Sequence, residues 1–246
     1  MDVGGPLLLV GCGKMGGALL AGWIDRGLDP AAVTVIEPEP AARSAAAVGA
    51  GVACLAGMDA LASEYRPAVI VLAVKPQQMD AVLEACRGRL ADDPVVLSIA
   101  AGRTLAYYAR RLGPAAVVRA MPNTPAAVGR GMTVLVANAA VSTDQARVCE
   151  ALMAAVGEVA WVEDEALLDA VTAVSGGGPA YVFLLIETLA RAGTEAGLPE
   201  DLAMRLADRP LPRWVQITER EISLITAITP IRCIDKAVHL TRIDAL

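Results

Sequence analysis

The stretch Leu7-Leu8-Leu9-Val10-Gly11-Cys12-Gly13-Lys14-Met15-Gly16 decides how the rest of the chain is read. Four aliphatic residues without in-out alternation predict a strand buried on both faces. The pattern GxGxxG follows at once, and a helix is expected to begin near Met15. In that setting each glycine has a physical task. Gly11 makes the tight turn, Gly13 lets the backbone approach a pyrophosphate, and Gly16 lets the helix pack against the strand. The helix N-terminus meets the phosphate charge with free N–H groups and the positive end of its dipole. An ordinary glycine-rich turn has the same spelling, so the flanking strand and helix carry the reading. Gly11, Cys12, Gly13, Lys14, Met15 and Gly16 are thus the first candidate cofactor-binding residues, for NADPH or NADH.

Outward from that turn, short apolar runs at residues 7–10, 33–36, 69–74, 95–99 and 117–120 alternate with longer helical stretches. That rhythm is βαβ and predicts a parallel sheet. Apolar runs without alternation need helices over both faces, so the expected class is α/β, a Rossmann-like doubly wound sheet. Runs at 133–137 and 159–162 extend it. After Glu163 the pattern turns helical, with helices expected over 165–174, 179–196 and from Pro199 to about 207. Pro179 suits a first turn and Gly197 a stop. The expected domains are 1–163, dinucleotide-binding, and 164–246, a smaller and incomplete all-helical domain for dimerisation or substrate.

Further candidates fall where these strands end. Glu37 closes the second strand, where an acidic side chain accepts bonds from ribose hydroxyls and disfavours an extra phosphate unless Arg43 compensates. A solvated strand-end glutamate reads equally well. Ala73-Val74-Lys75-Pro76 closes the third strand, and Lys75 is the only lysine between Lys14 and Lys236. Its loop lies at the carboxyl edge, where ligands bind in open α/β folds. Ala100, in the loop 98–102, and Asn123, between Pro122 and Pro125, end the next two strands. The prolines restrict the backbone and hold Asn123 and Thr124 in fixed orientation. Ser175, Gly176 and Gly177 form a glycine-rich join to the helical part, read as a hinge or as a close backbone approach to substrate.

Composition excludes several functions. A net charge of −6 and eight aromatic residues leave neither a basic field for phosphate backbones nor a stacking platform for bases, so no nucleic-acid partner is expected. Five scattered cysteines without CxxC spacing point to no metal site and to a reducing, cytoplasmic setting. Glu187 interrupts the most apolar helical run, 180–192, so no membrane span is expected. From Asp208 onward the composition changes. Glycine vanishes, and seven isoleucines occur against five in the preceding 207 residues. The change reads either as a terminal segment with its own packing or as a shifted reading frame.

Taken together, GCGKMG at 11–16, AVKP at 73–76, SIAAG at 98–102, MPNTP at 121–125 and AVSGGGPAY at 173–181 resemble the pyrroline-5-carboxylate reductases in order and spacing. The resemblance covers residues 5 to about 207. It implies a Rossmann-like domain followed by a helical dimerisation domain, and NAD(P)H-dependent reduction of a cyclic imine to proline. It places Gly11 to Gly16, Ala73 to Pro76 and Asn123 along the dinucleotide, in a homodimer or higher oligomer. Gly177 stands where the family more usually has serine. The family's SPGGTT-like loop for the substrate carboxylate has no counterpart after Pro199. Two other outcomes follow: a dinucleotide-binding protein without turnover and with weakened dimerisation, or another Rossmann imine or β-hydroxyacid reductase. The last would call for a catalytic lysine on the long helices, and residues 179–207 contain none. No residue of the body presents itself as a catalytic acid or base.

Overall fold

The computed structural model describes residues 1–43, 45, 51–89 and 93–208. The altered composition beyond residue 208 therefore lies outside the described residues. Contacts divide the chain into two units, Met1–Thr172 and a second that begins at Ala173.

The first unit is one eight-stranded sheet in the order β3-β2-β1-β4-β5-β6-β7-β8. Its strands are β1 (Leu7–Val10), β2 (Val33–Ile36), β3 (Ala53–Leu55), β4 (Val69–Leu72), β5 (Val95–Ser98), β6 (Val117–Met121), β7 (Gly131–Ala137) and β8 (Gly157–Trp161). The helices that cover it include α1 (Lys14–Asp25), α2 (Met79–Cys86), α3 (Leu105–Leu112) and α4 (Thr143–Ala154). Strand residues alternate between two apolar layers. Leu7, Leu9, Val69 and Val71 join Leu19 and Trp23 of α1 and Leu152 and Met153 of α4. Leu8, Val10, Ile70 and Leu72 join Met79 and Leu83 of α2 and Tyr108 and Leu112 of α3. The sheet is doubly wound for this reason: both faces are apolar, and each finds its own pair of helices.

The expected strands are present, with two differences. β3 was not anticipated; it is three residues long and half exposed, so it lacks the apolar run that marks its neighbours. The sheet is also not wholly parallel, because β7 runs antiparallel to β6. The link between them, residues 122–130, folds into the short 3-10 helix Thr124–Val128. Parallel neighbours need a crossover of about a dozen residues or more, so this link can only reverse the chain. β7 and β8 are parallel again, joined through α4.

The join at 173–181 is helical. α5 (Leu167–Val171) is followed by a π-helical turn, Thr172–Gly176, and then by α6 (Gly178–Glu195). Gly177 has helical backbone angles, φ −87° and ψ −28°, and follows the wider π-helical turn. In the second unit α6 packs on α7 (Glu200–Asp208) around Phe183, Ile186, Ala190 and Ala207. The close pairing needs Gly193, where a Cβ would stand 3.1 Å from that of Ala203. α6 stops at Gly197, φ +99°, with Gly197 N bonded to Thr194 O and Leu198 N to Gly193 O. That pattern is the helix stop for which glycine is suited. The helical run Leu167–Glu195 is long and apolar enough to cross a membrane by length and composition. Tyr181, Leu184, Leu185 and Leu189 of α6 are exposed.

Candidate functional site

Register puts the strand ends in a row. Val10 pairs with Ile36 and with Leu72, and Leu72 pairs with Ser98. The next residues, Gly11, Glu37, Ala73 and Ile99, therefore open a common rim. The chain leaves β1 toward β2 and later crosses back to β4 on the other side, so the switch point of the sheet lies between β1 and β4. Open α/β sheets bind ligands at that point.

The glycine turn has the geometry the sequence called for. Gly11 has φ +92°, and a Cβ there would come within 2.7 Å of Ala73 O. A Cβ on Gly16 would overlap Gly11 O and press on Ala73. Both contacts are with backbone, which cannot swing aside as a side chain would. At Gly13 no described atom lies within 4 Å of the added Cβ, so the turn is open there. Gly13 is also the N-cap of α1 and has no side-chain cap; Gly17 N donates to Gly13 O at 2.7 Å across the first turn. Earlier amides of the helix are left facing the open side. A pyrophosphate fits this turn: close-packed glycines behind, an uncapped helix start in front.

Cys12 N does not belong to that donor set. It donates to Glu37 Oε2 at 2.7 Å, while Glu37 Oε1 accepts from Glu39 N at 2.9 Å. Glu37 is 8% exposed, so its carboxylate braces the glycine turn and the backbone after β2. Arg43 donates from Nη1 to Glu37 O at 2.8 Å and Pro38 O at 3.1 Å, which holds a guanidinium at the end of β2. Burial, then Cys54, then Glu37 push the Cys12 thiol up to about 11. Cys12 is thus a neutral packing residue.

After β4, Ala73 N bonds Val10 O at 2.8 Å and Lys75 is exposed. Pro76 begins the short 3-10 helix Pro76–Gln78, and Arg103 donates to its carbonyl. After β5, Ala100 is buried, and its N–H donates to Ser98 Oγ at 3.3 Å. Ser98 Oγ lies 2.5 Å from Tyr108 OH. After β6, Asn123 Oδ1 accepts from Met132 N at 2.8 Å, which ties the loop to β7. The orientation of Asn123 therefore comes from a tertiary bond as well as from its flanking prolines.

Arg119 and Glu165 were not singled out from the sequence. Arg119, 8% exposed, pairs with Glu165 Oε1, which also accepts from Leu105 N at 2.6 Å. An arginine inside the apolar run of β6 was the available signal. Ser175, Gly176 and Gly177 lie on the helical backbone of the second unit. Among the described residues no three metal-ligating side chains cluster.

The fold and its rim define a protein of the Rossmann nucleotide-binding class with a helical second unit. Comparison with known proteins narrows the class. Residues 165–212 match the family description "Pyrroline-5-carboxylate reductase dimerisation", and residues 7–102 match "NADP oxidoreductase coenzyme F420-dependent". A pyrroline-5-carboxylate reductase of Pseudomonas aeruginosa is 40% identical over 202 residues, covering 81% of this chain and 73% of its own. A solved pyrroline-5-carboxylate reductase from Coxiella burnetii superposes with TM-score 0.78 at 31% identity, covering 96% of this chain and 90% of that one. The Plasmodium falciparum pyrroline carboxylate reductase with NADP bound gives TM-score 0.74 at 26% identity, covering 85% and 77%. This chain belongs to the pyrroline-5-carboxylate reductase family.

Proposed function

We propose that this chain binds NADPH or NADH at the carboxyl rim and reduces 1-pyrroline-5-carboxylate to L-proline. The observation that carries the reading is the glycine turn, closed by Gly11 and Gly16 against Ala73 and open above Gly13. Gly13, Lys14 and Met15 would hold the pyrophosphate, with Ala73 to Pro76, Ala100 and Asn123 along the rest of the dinucleotide. Glu37 would act through Cys12 N. Its oxygens already accept two backbone N–H groups, and Arg43 stands beside it, so the extra phosphate of NADPH has a cation at hand.

When bound, the nicotinamide supplies hydride to the imine carbon. The rim residues orient the two partners and exclude water, a contribution worth several kcal/mol of barrier. A protonated imine is already electrophilic, which agrees with a rim that offers no obvious acid or base. Ser175, Gly176 and Gly177 are our candidates on the substrate side. We place the protein in the cytoplasm, soluble and free of nucleic acid, with the exposed apolar residues of α6 covered by a second copy rather than by lipid.

The test is direct. Purified protein is mixed with NADPH and pyrroline-5-carboxylate, and cofactor oxidation is followed together with proline by mass spectrometry. Stoichiometric proline supports the proposal, and absence of any saturable dinucleotide binding overturns it. Binding without turnover would select a second reading, in which the chain keeps its nucleotide turn and lacks the reaction. Residues 198–246 contain no glycine and so no SPGGTT-like stretch, which is the observation behind that second reading.

A further inference from the structure

Two loops of the rim are tied together by a residue that belongs to neither motif. Arg103 follows Gly102, whose φ of +70° turns the chain out of the loop after β5. Its Nε and Nη2 both donate to Pro76 O, at 3.2 and 2.5 Å, in the loop after β4. The guanidinium also lies over the Tyr107 ring, with Cζ 4.7 Å from the centroid. Tyr107 OH donates to Asp80 Oδ1 at 2.7 Å, and Asp80 stands in the first turn of α2, which continues the chain from Pro76. Arg111 also lies over the Tyr107 ring, with Cζ 3.8 Å from the centroid, and bonds Asp80. Pro76, Arg103, Tyr107 and Asp80 thus close a ring of contacts between the two loops.

We infer that Arg103 is a positioning residue that locks the turn at 73–76 in the form that receives the dinucleotide. The inference rests on the reading of that turn proposed above. The backbone bonds at this turn are local: Ala73 N to Val10 O before it, Gln78 N to Lys75 O, 2.9 Å, across it, and Met79 N to Pro76 O after it. Lys75 between them is extended and exposed, with φ −63° and ψ 146°. The charged fork on Pro76 O adds the tie that reaches this turn from the loop after β5, and charge-assisted pairs are about twice as strong as neutral ones. A lysine could supply the charge and donors on a single nitrogen, but neither the two-nitrogen fork nor the flat face that stacks on tyrosine.

The test uses the full chain. Arg103→Ala is expected to raise the Kd for NADPH, read by cofactor fluorescence, by about five- to tenfold, roughly one kcal/mol of binding. At saturating NADPH its kcat should stay within about twofold of the parent, because no reacting group is lost. In the cofactor-free protein the Gln78 amide should exchange faster with solvent while the amides of β1 do not. Arg103→Lys should recover only part of the affinity, and guanidinium ion at a non-denaturing concentration should improve binding by Arg103→Ala alone. Tyr107→Phe keeps the ring face, loses the bond to Asp80, and should give a smaller change in the same direction. If the parent binds NADPH and both arginine variants match it with unchanged Gln78 exchange, Arg103 does not position the turn. If the parent itself fails to bind, the reading of the rim falls, and this inference with it.

Discussion

The chain contains two glycine-rich segments, and they owe their glycines to different physics. At Gly11 and Gly16 the space is already full. Gly11 holds a positive φ against Ala73 O, and Gly16 admits no side chain because Gly11 O stands where it would go. At residues 176–178 the backbone is helical: Gly177 has ordinary helix angles, and no described atom lies within 4 Å of a Cβ on Gly178. Composition alone makes the two segments alike. In the first, glycine is imposed at Gly11 by Ala73 O and at Gly16 by Gly11 O; in the second, Gly178 meets no such demand among the described residues.

The comparison breaks most readily at Gly16. Gly16→Ala forces a methyl into backbone that cannot yield, and should cost about 3 kcal/mol or more, the upper range of overpacking effects. Urea denaturation measures it; a variant as stable as the parent would remove the steric argument for the whole turn. Dinucleotide binding should be lost in the same variant.

Glu37→Gln sharpens the account of what holds the turn from outside. The glutamine amide oxygen can serve only one of Cys12 N, which is buried, and Glu39 N, on an exposed residue, so stability should fall by about 1 kcal/mol, the low end for a lost partner. Weaker NADPH binding at unchanged stability would instead mean that the carboxylate meets the ribose.

A third effect is pH-dependent. Burial raises the Cys12 thiol from 9.0 to about 11 and the Cys149 thiol to about 12. The unfolded chain releases these protons first, so stability present below pH 9 should fall as pH rises toward 11. Cys12→Ala should flatten that fall by on the order of 1–2 kcal/mol, since one pKa unit is about 1.4 kcal/mol. Equal slopes in parent and variant would show that Cys12 reaches water in the folded turn.

The smallest effect lies in the second segment, with the opposite sign. Gly178→Ala should stabilise the helix by about 0.5–1 kcal/mol, because alanine gives up less backbone freedom. A clear loss of stability, read as a lower melting temperature at fixed protein concentration, would mean that Gly178 meets a second copy or a ligand closely.

Much of this was legible in the order of residues. The strands β1 and β2 have the expected bounds, and β4 to β6 differ by a residue or two at their ends, because four apolar residues bounded by turn formers leave few choices. The glycine turn was legible as well, since a positive φ and a close helix–strand approach both leave a mark in the residue type. What was not legible depended on distant partners. β3 is recognisable only by its pairing with β2. β7 is reversed because its link is short, which matters only once β6 is placed beside it. Glu37 read as a ribose ligand or as a solvated strand-end glutamate, and neither reading contained its bond from Cys12 N.

The sequence by itself determined the doubly wound class, the place of the glycine turn and the family, because periodicity and glycine requirements are local. Tertiary structure alone decided which polar groups meet: Glu37 with Cys12, Arg103 with Pro76, Arg119 with Glu165. The partners in these pairs lie 25, 27 and 46 residues apart. A bond of that span forms only when the strands between have taken their register, and no local pattern of side chains encodes it.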